Sequence, residues 1–137
     1  MVTQHLIRLQ PKSRGFHLIT DEVLSAIGRN LPESGLFQLF IQHTSAALTI
    51  NENADPTVLE DFELYFNRIV EEDIPGLKHT MEGPDDMPAH IKASLIGHHV
   101  SVPIQDFQLA LGQWQGIYLC EFRNRPRARF VLVSLMY

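Results

Sequence analysis

The chain has 137 residues, of which 45% are hydrophobic and 20% charged, as expected for one globular domain over residues 1–137. Eleven basic and sixteen acidic residues give a net charge of −5, which argues against a nucleic-acid partner. No apolar run reaches the ~20 residues of a membrane span, the first residues lack a signal-peptide core, and the single Cys120 excludes an internal disulfide. We therefore expect a cytoplasmic protein without membrane partners.

The N-terminal third predicts strands and one helix. The segment "HLIRLQ" (5–10) alternates apolar and polar residues, as a half-buried strand does, and "GFHLI" (15–19) is predicted as its partner strand. Thr20 is placed to cap a helix over "DEVLSAIGRNL" (21–31).

The middle of the chain predicts two more strands and a long helix. "GLFQLFIQHT" (35–44) and "AALTINEN" (46–53) have strand composition, and we expect them to pair through a turn at Thr44 and Ser45. Asp55 and Pro56 then open a helix whose apolar residues recur every three or four positions.

The C-terminal half predicts a short helix followed by strands. Asp86 is placed to cap "MPAHIKASLIG" (87–97), and Gly97 to end it. Three strands follow, with the last two joined in a hairpin through "RNRP" (123–126): "HVSVPI", "QGIYLCEF" and "ARFVLVSLMY". Runs of strands with segregated helices indicate the α+β class.

Charge is segregated along the chain. Between Glu71 and Pro88 there are six acidic residues and one lysine, which equals the whole net charge. Half of the eight arginines follow at alternate positions: Arg123, Arg125, Arg127 and Arg129. Such a distribution can hold a cation at one place and a phosphate at another, or it can belong to solvated loops.

Three histidines near element ends suggest a metal site. His43 ends a strand, His79 lies in the acidic segment, and His90 lies on the helix that Asp86 begins. Three neutral imidazoles with an open fourth position suit a divalent ion such as zinc, although their spacing matches no compact metal motif. The alternative is solvated or structural histidines.

Polar residues also cluster at both ends of the strand 46–53. Ser45 beside His43 suggests a nucleophile and base, but no glycine elbow surrounds the serine, so a turn hydrogen bond is the alternative role. Glu52, which follows Asn51, is a candidate acid/base residue or ligand, or else part of a capping network before Pro56.

One face of the strand around residues 115–123 presents two charged side chains. Gln115, Glu121 and Arg123 fall on the same face. Glu121 and Arg123 form either a surface ion pair or a substrate site, with phosphate oxygens at the arginine and a substrate nitrogen at the acid.

Four blocks of the sequence resemble the YjbQ-like family, a secondary type of thiamine-phosphate synthase. They are "RGFHLITDEV", "LFIQHTSAALTINENADPTVLEDFE", "EGPDDMPAHIKASLIG" and "LALGQWQGIYLCEFR". The resemblance implies a β-sandwich of two sheets with two main helices, assembled as a homotrimer. It places family motif positions on His43, Thr44, Asn51, Glu52, His79, Asp86, His90, Gly97, Trp114, Gln115, Glu121 and Arg127.

The activity that the resemblance implies joins a pyrimidine-methyl pyrophosphate to a thiazole phosphate and releases pyrophosphate. A divalent ion, zinc or magnesium, is expected at His43, His79 and His90, with Glu52, Asp86 and Glu121 as catalytic groups. Phosphorylated substrate is expected at Ser45, Asn51, Ser94, Gln115, Arg123 and Arg127. A metal-dependent hydrolase and a non-catalytic trimer that binds a small anionic metabolite are the alternatives. Cys120 and His5 are expected to be dispensable.

Overall fold

A computed structural model describes all residues from 1 to 137 and shows an α+β sandwich of two antiparallel sheets with three helices. One sheet has five strands in the order β1-β8-β3-β5-β6, and the other has three in the order β2-β7-β4. No helix is long and apolar enough to cross a membrane. The elements are β1 Val2–Lys12, β2 Gly15–Leu18, α1 Thr20–Ala26, β3 Ser34–Ile41, β4 Ala46–Glu52, α2 Pro56–Ile69, α3 Asp86–Ile96, β5 His99–Gln105, β6 Gln108–Leu109, β7 Gln115–Glu121 and β8 Arg127–Met136.

The main core fills the space between the two sheets. Alternation along β8 buries Val131, Val133 and Leu135, while the residues between them are less buried. These side chains join apolar residues of β3, β4, β5 and β7 and three residues of the α1 region in one buried cluster. The sandwich arrangement therefore follows from strands with one apolar face each.

Helices α2 and α3 cover the outer face of the three-stranded sheet. There Tyr118, Cys120 and Phe122 pack with Ala89 and Ala93 of α3 in a second buried cluster. The predicted start of α2 is confirmed, because the carboxylate of Asp55 accepts a hydrogen bond from the Thr57 N–H at 2.9 Å and Pro56 is the first helical residue. The two main helices are thus on one side, and α1 is shorter.

Three predicted strand pairings are wrong. β1 pairs with β8 and β2 pairs with β7, so the first two strands are not partners. β3 and β4 lie in different sheets, and so do β7 and β8, which means that residues 123–126 cross between sheets and form no hairpin. A short connection favours a hairpin in sequence, but the apolar faces of these strands are buried by facing each other across the sandwich.

Two predicted helix caps are also wrong. The N-cap of α1 is Ile19, and the hydroxyl of Thr20 instead accepts a hydrogen bond from the Ile117 N–H at 2.9 Å. Asp86 is the first residue of α3 and its side chain caps nothing. Its carboxylate is held by other side chains. The predicted end of α3 at Gly97 is confirmed, with a φ of 114° that favours glycine.

The outer face of the five-stranded sheet carries exposed apolar side chains. Leu6, Leu132 and Phe40 lie side by side across β1, β8 and β3, and Leu6 is 60% exposed. Since α2 and α3 both pack on the other sheet, this face is left open.

Candidate metal centre

The candidate site lies where α3 begins, beside the segment that crosses from β3 to β4. Asp86 and His90 are four residues apart on α3, so their side chains project from one face of the helix. His79 comes from the acidic loop before α3. The chain therefore brings together two of the three predicted metal-binding histidines and one of the predicted acids.

These three residues offer ligand atoms that all lie within 4.8 Å of one another. The Oδ2 atom of Asp86 is 2.7 Å from His79 Nε2 and 3.1 Å from His90 Nε2. Asp86 is 2% exposed, whereas the side chains of His79 and His90 are 49% and 29% exposed. The carboxylate of Asp86 is thus buried, whereas the two imidazoles of the triad are partly exposed to solvent.

The second hydrogen-bond partner of His90 determines which of its ring nitrogens carries a proton. Its Nδ1 lies 2.8 Å from the carbonyl oxygen of Thr44, which only accepts hydrogen bonds, so Nδ1 carries a proton. A neutral His90 then presents a lone pair from Nε2 towards the carboxylate of Asp86. Two acceptors at this distance repel each other unless a cation, either a proton or a metal ion, lies at them.

Arg123 binds Asp86, the acidic residue of the triad, and the neighbouring Asp85. Its Nη1 donates to Asp86 Oδ1 at 2.6 Å, its Nε to Asp85 Oδ2 at 2.8 Å and its Nη2 to the Glu82 carbonyl at 2.9 Å. Burial opposes the ionisation of Asp86, but the hydrogen bond from His79 and the charge of Arg123 outweigh it, so its pKa is lowered. Asp86 is therefore ionised at neutral pH.

A second buried ion pair fixes the β3–β4 crossing. Arg129 donates to both carboxylate oxygens of Glu121, at 2.7 and 2.6 Å, and also to Ser45 Oγ at 3.0 Å. The side chains of Glu121 and Arg129 are 0% and 3% exposed. Glu121 is thus enclosed in the protein, not presented at a strand end as expected. It supports the segment whose Thr44 carbonyl orients His90.

His43 lies outside the triad. Its Nε2 accepts a hydrogen bond from the Phe130 N–H at 2.9 Å. Burial lowers its pKa, and the nearby charge of Arg129 lowers it further, against the opposing effect of Glu121. His43 is consequently a neutral imidazole whose Nε2 lone pair is already used.

Two cavities near the triad contain predicted substrate-binding residues. The first, which we call the histidine cavity, has a volume of about 450 Å³ and is lined in part by His43, His90, Ser94 and His98. The second, the arginine cavity, has a volume of about 430 Å³ and is lined in part by Glu82, Asp85, Arg123, Arg125 and Arg127. Of the predicted substrate-binding residues, Ser94 thus lies in the first cavity and Arg123 and Arg127 in the second.

The remaining predicted site residues lie away from the triad. Glu52 ends β4, about 20 Å of strand from Ala46, which follows the crossing segment. Asn51 and Gln115 lie at that same far end, where the Asn51 side chain bonds the Glu52 N–H and Gln115 bonds the Gly112 N–H. The expected convergence of Glu52 with the histidines is therefore corrected, because a strand in between keeps them apart.

Two residues of the site were missed by the sequence analysis. Asp85 was treated only as part of an acidic run, yet it is 6% exposed and paired with Arg123. Arg129 was treated as one of four alternating arginines. Residues two apart on a strand share a face, so Arg129 lies on the same face of β8 as Val131 and Val133, which are fully buried. This alternation could have predicted that Arg129 is buried.

Comparison with known proteins shows that this sequence is similar to members of one protein family. The family described as "UPF0047 protein YjbQ-like" matches residues 5–137. The UPF0047 protein YjbQ of Escherichia coli O157:H7 is 45% identical over 134 residues, covering 96% of each chain, and that of Salmonella typhimurium is 46% identical over 133 residues with the same coverage. These descriptions name no reaction.

Solved structures show the same architecture. A conserved hypothetical protein from Thermus thermophilus is 34% identical and superposes with a TM-score of 0.84 over 96% of this chain and 99% of its own. A YbjQ-like protein of unknown function from Sulfolobus solfataricus is 25% identical, with a TM-score of 0.85 over 99% of this chain and 97% of its own.

Proposed function

This chain belongs to the YjbQ-like UPF0047 family, and we propose that it binds a divalent metal ion at His79, Asp86 and His90 and uses it on a phosphorylated small molecule. The observation that carries this proposal is the contact between His90 Nε2 and Asp86 Oδ2. With the other nitrogen of His90 committed to the Thr44 carbonyl, a metal ion at this contact replaces the repulsion of two acceptors with shared ligation.

The donor set fits zinc better than magnesium. Two imidazole nitrogens and one carboxylate are ligands that zinc and similar transition metals take, whereas magnesium prefers oxygen ligands and water. The outer partners also fit, since Thr44 orients His90 and Arg123 holds the second oxygen of Asp86. A bound ion would supply positive charge to phosphoryl oxygens or activate a water molecule.

The arginine cavity supplies a place for phosphate. The guanidinium of Arg123 donates hydrogen bonds to Asp85, Asp86 and the Glu82 carbonyl, whereas Arg125 and Arg127 form no ion pairs. Their guanidinium groups are therefore available to phosphate oxygens, which they bind in bidentate fashion. In this arrangement Arg127 is a substrate-binding residue, while Arg123 is a positioning residue for Asp86.

The specific reaction that we propose is the formation of thiamine phosphate. The bond between the pyrimidine methylene carbon and the pyrophosphate oxygen breaks, pyrophosphate leaves with the electron pair, and the thiazole nitrogen supplies the pair for the new carbon–nitrogen bond. The demand on this chain is to neutralise the leaving pyrophosphate, which Arg125 and Arg127 can do, since they line the same cavity as Arg123, the partner of Asp86. The support for this particular substrate pair is the resemblance of the sequence blocks.

Metal binding and turnover are tested separately. Zinc titration by calorimetry should give one ion per chain for the wild type and for His5→Ala, and at least ~100-fold weaker binding for His90→Ala and Asp86→Asn. Thiamine phosphate formed from the two precursors, measured by mass spectrometry with and without chelator, should depend on the same residues.

The outcomes separate the three candidate functions. Zinc binding with release of phosphate from substrates, but no thiamine phosphate, would indicate the metal-dependent hydrolase. Binding of anions without any turnover would indicate the non-catalytic module. Wild-type zinc affinity in His90→Ala would remove the metal centre from the proposal altogether.

We also propose that the protein is a cytoplasmic homotrimer. The open face of the five-stranded sheet supports an assembly, because exposed neighbours such as Leu6 and Phe40 form an apolar surface that a second copy would cover. The buried free thiol of Cys120 suits a reducing compartment.

A further inference from the structure

The wall of the histidine cavity carries no carboxylate, lysine or arginine side chain, although the protein as a whole is acidic. Apolar groups of Phe40, Ala46 and Ala93 line it together with polar groups of His43, Thr44 and Ser94. A cavity of this composition favours an uncharged ligand with both apolar faces and hydrogen-bonding edges.

The structure fixes which nitrogen of His43 carries the proton. The backbone N–H of Phe130 only donates, so His43 Nε2 must be the acceptor in their 2.9 Å hydrogen bond. A neutral ring with an unprotonated Nε2 carries its proton on Nδ1. This Nδ1 makes no hydrogen bond within the protein and is not enclosed, so His43 offers an N–H donor on its open side.

That donor is held in place before any ligand arrives. The His43 ring stacks on Phe130 with 6.2 Å between ring centroids, and Arg129 bonds both Oγ and the carbonyl of Ser45 in the same segment. An oriented donor loses little conformational entropy on binding, which makes its hydrogen bond effective in selecting a ligand.

An aromatic edge completes the cavity. Phe40 and His98 meet edge to face, with 5.4 Å between their ring centroids, and both line the cavity. Flat rings pack on such edges, and the volume of about 450 Å³ accommodates a single heterocycle with its substituents. Because His90 belongs to both the cavity and the triad, a ring bound here lies next to the proposed metal centre.

We propose that the histidine cavity binds the uncharged nitrogen heterocycle of the substrate, and that His43 Nδ1–H donates a hydrogen bond to an acceptor atom on its ring. This inference rests on the proposed function and adds to it a division of the substrate: the ring lies at His43, and the phosphate groups lie towards the arginine cavity. His43 is then a specificity residue and not a metal ligand.

Two substitutions separate the two nitrogens of His43. Glutamine places its amide group near the position of Nε2 and can still accept from Phe130, but it loses the donor at Nδ1. Asparagine places its amide near Nδ1 and keeps a donor there, while it gives up the contact with Phe130. Circular dichroism and thermal unfolding establish that each variant is folded.

The experiment uses the full chain with ¹⁵N-labelled histidine, with 4-aminopyrimidine as the ring probe and inorganic pyrophosphate as the charged probe. The free protein should show His43 protonated on Nδ1 and bare on Nε2 at neutral pH. The ring probe should shift the His43 and His98 signals with roughly millimolar affinity, whereas pyrophosphate should leave His43 unshifted. His43→Gln should bind the ring about tenfold more weakly, and His43→Asn within about threefold of wild type.

A His43 protonated on Nε2, or a His43→Gln protein that binds the ring as tightly as wild type, overturns the proposal. If His43→Asn does not fold, the tautomer of the wild type and the affinity of His43→Gln still decide it. Zinc calorimetry on the same samples distinguishes the two levels: ring binding without zinc binding contradicts the metal centre alone, and zinc binding without ring binding contradicts this inference alone.

Discussion

Arg123 contacts Asp86 through one carboxylate oxygen only, with 2.6 Å between Nη1 and Oδ1. The other oxygen, Oδ2, is left to face the two imidazoles of the triad. Arg123 thus sets the orientation of Asp86 as well as compensating its buried charge. A site that relies on one arginine in both ways should lose both properties when that arginine is changed.

Replacing Arg123 by Gln should therefore destabilise the protein and weaken metal binding. The change leaves Asp85 and Asp86 buried without their counter-charge, which typically costs about 3–5 kcal/mol in the free energy of unfolding. Metal affinity should fall by about 10–100-fold, as expected for the loss of an outer partner. Urea unfolding and zinc calorimetry measure the two effects. The control is Arg125→Gln at an exposed position, which should change stability by no more than about 0.5 kcal/mol.

Stability of the metal-free protein should decline in acid. Asp85 and Asp86 have lowered pKa values in the folded state, because hydrogen bonds and the charge of Arg123 outweigh burial. Below their ordinary pKa of about 3.9 the unfolded chain binds more protons, so stability falls as pH decreases towards the lower folded values. Above about pH 5 this contribution is complete.

Urea unfolding in chelator between about pH 3 and pH 7 tests this dependence. Asp85→Asn removes one of the two carboxylates, so its free energy of unfolding should vary less steeply with pH over the acidic part of that range. An equal slope in the variant and the wild type would show that Asp85 does not contribute.

The pair of Glu121 and Arg129 should behave as a unit. Arg129→Met leaves Glu121 buried without a partner and should cost about 3–5 kcal/mol in the free energy of unfolding. Adding Glu121→Leu to Arg129→Met removes the unpaired buried carboxylate, so the double variant should recover most of the lost free energy of unfolding. A double-mutant cycle in urea measures the coupling. Additive single effects would contradict a structural pairing of these residues.

Cys120 should be unreactive in the native protein. The thiol is buried on the outer face of the three-stranded sheet under α2 and α3, and burial raises its pKa. Labelling with a thiol-specific chromophore should be at least ~100-fold slower in buffer than in urea at the same pH, because it needs local or global opening. Rapid labelling of folded protein would contradict the packing described above.

The open sheet face should hold the assembly together. Leu6→Glu introduces a charge into this apolar face, so light scattering should show a shift from three chain masses towards one. Leu64→Glu is the matched control, since Leu64 is also exposed, at 52%, but lies on α2. A wild type that is already monomeric at micromolar concentration contradicts the proposed trimer.

Local signals in the sequence predicted elements well and their partners poorly. Asp55 and Pro56 specify the start of α2 through atoms within two residues of each other, so the prediction needed no tertiary information. The partner of β1, in contrast, is β8 at the opposite end of the chain. Alternation specifies that a strand has an apolar face, but it does not specify which strand lies beside it.

The same limit applies to the site. Residue type and position at element ends suggested His79, Asp86 and His90, which the structure brings together. Glu52 was expected at the same site as an acid flanking the histidines, yet it lies at the far end of the extended strand β4. The hydrogen bond from Phe130 that sets the proton of His43 spans 87 residues, and no local pattern encodes it.

The position of β8 has a consequence for the order of events during synthesis. This strand follows the seven other strands in the chain, yet it lies between β1 and β3 and pairs with both. Until β8 leaves the ribosome, β1 has no partner and one edge of β3 is open, so the larger sheet forms only after residues 127–136 have emerged. Arg129, which closes on Glu121 and Ser45, arrives with the same strand. The nascent chain therefore exposes the unpaired edges of β1 and β3 that β8 will cover, and until β8 has emerged it is most open to aggregation and to chaperone binding.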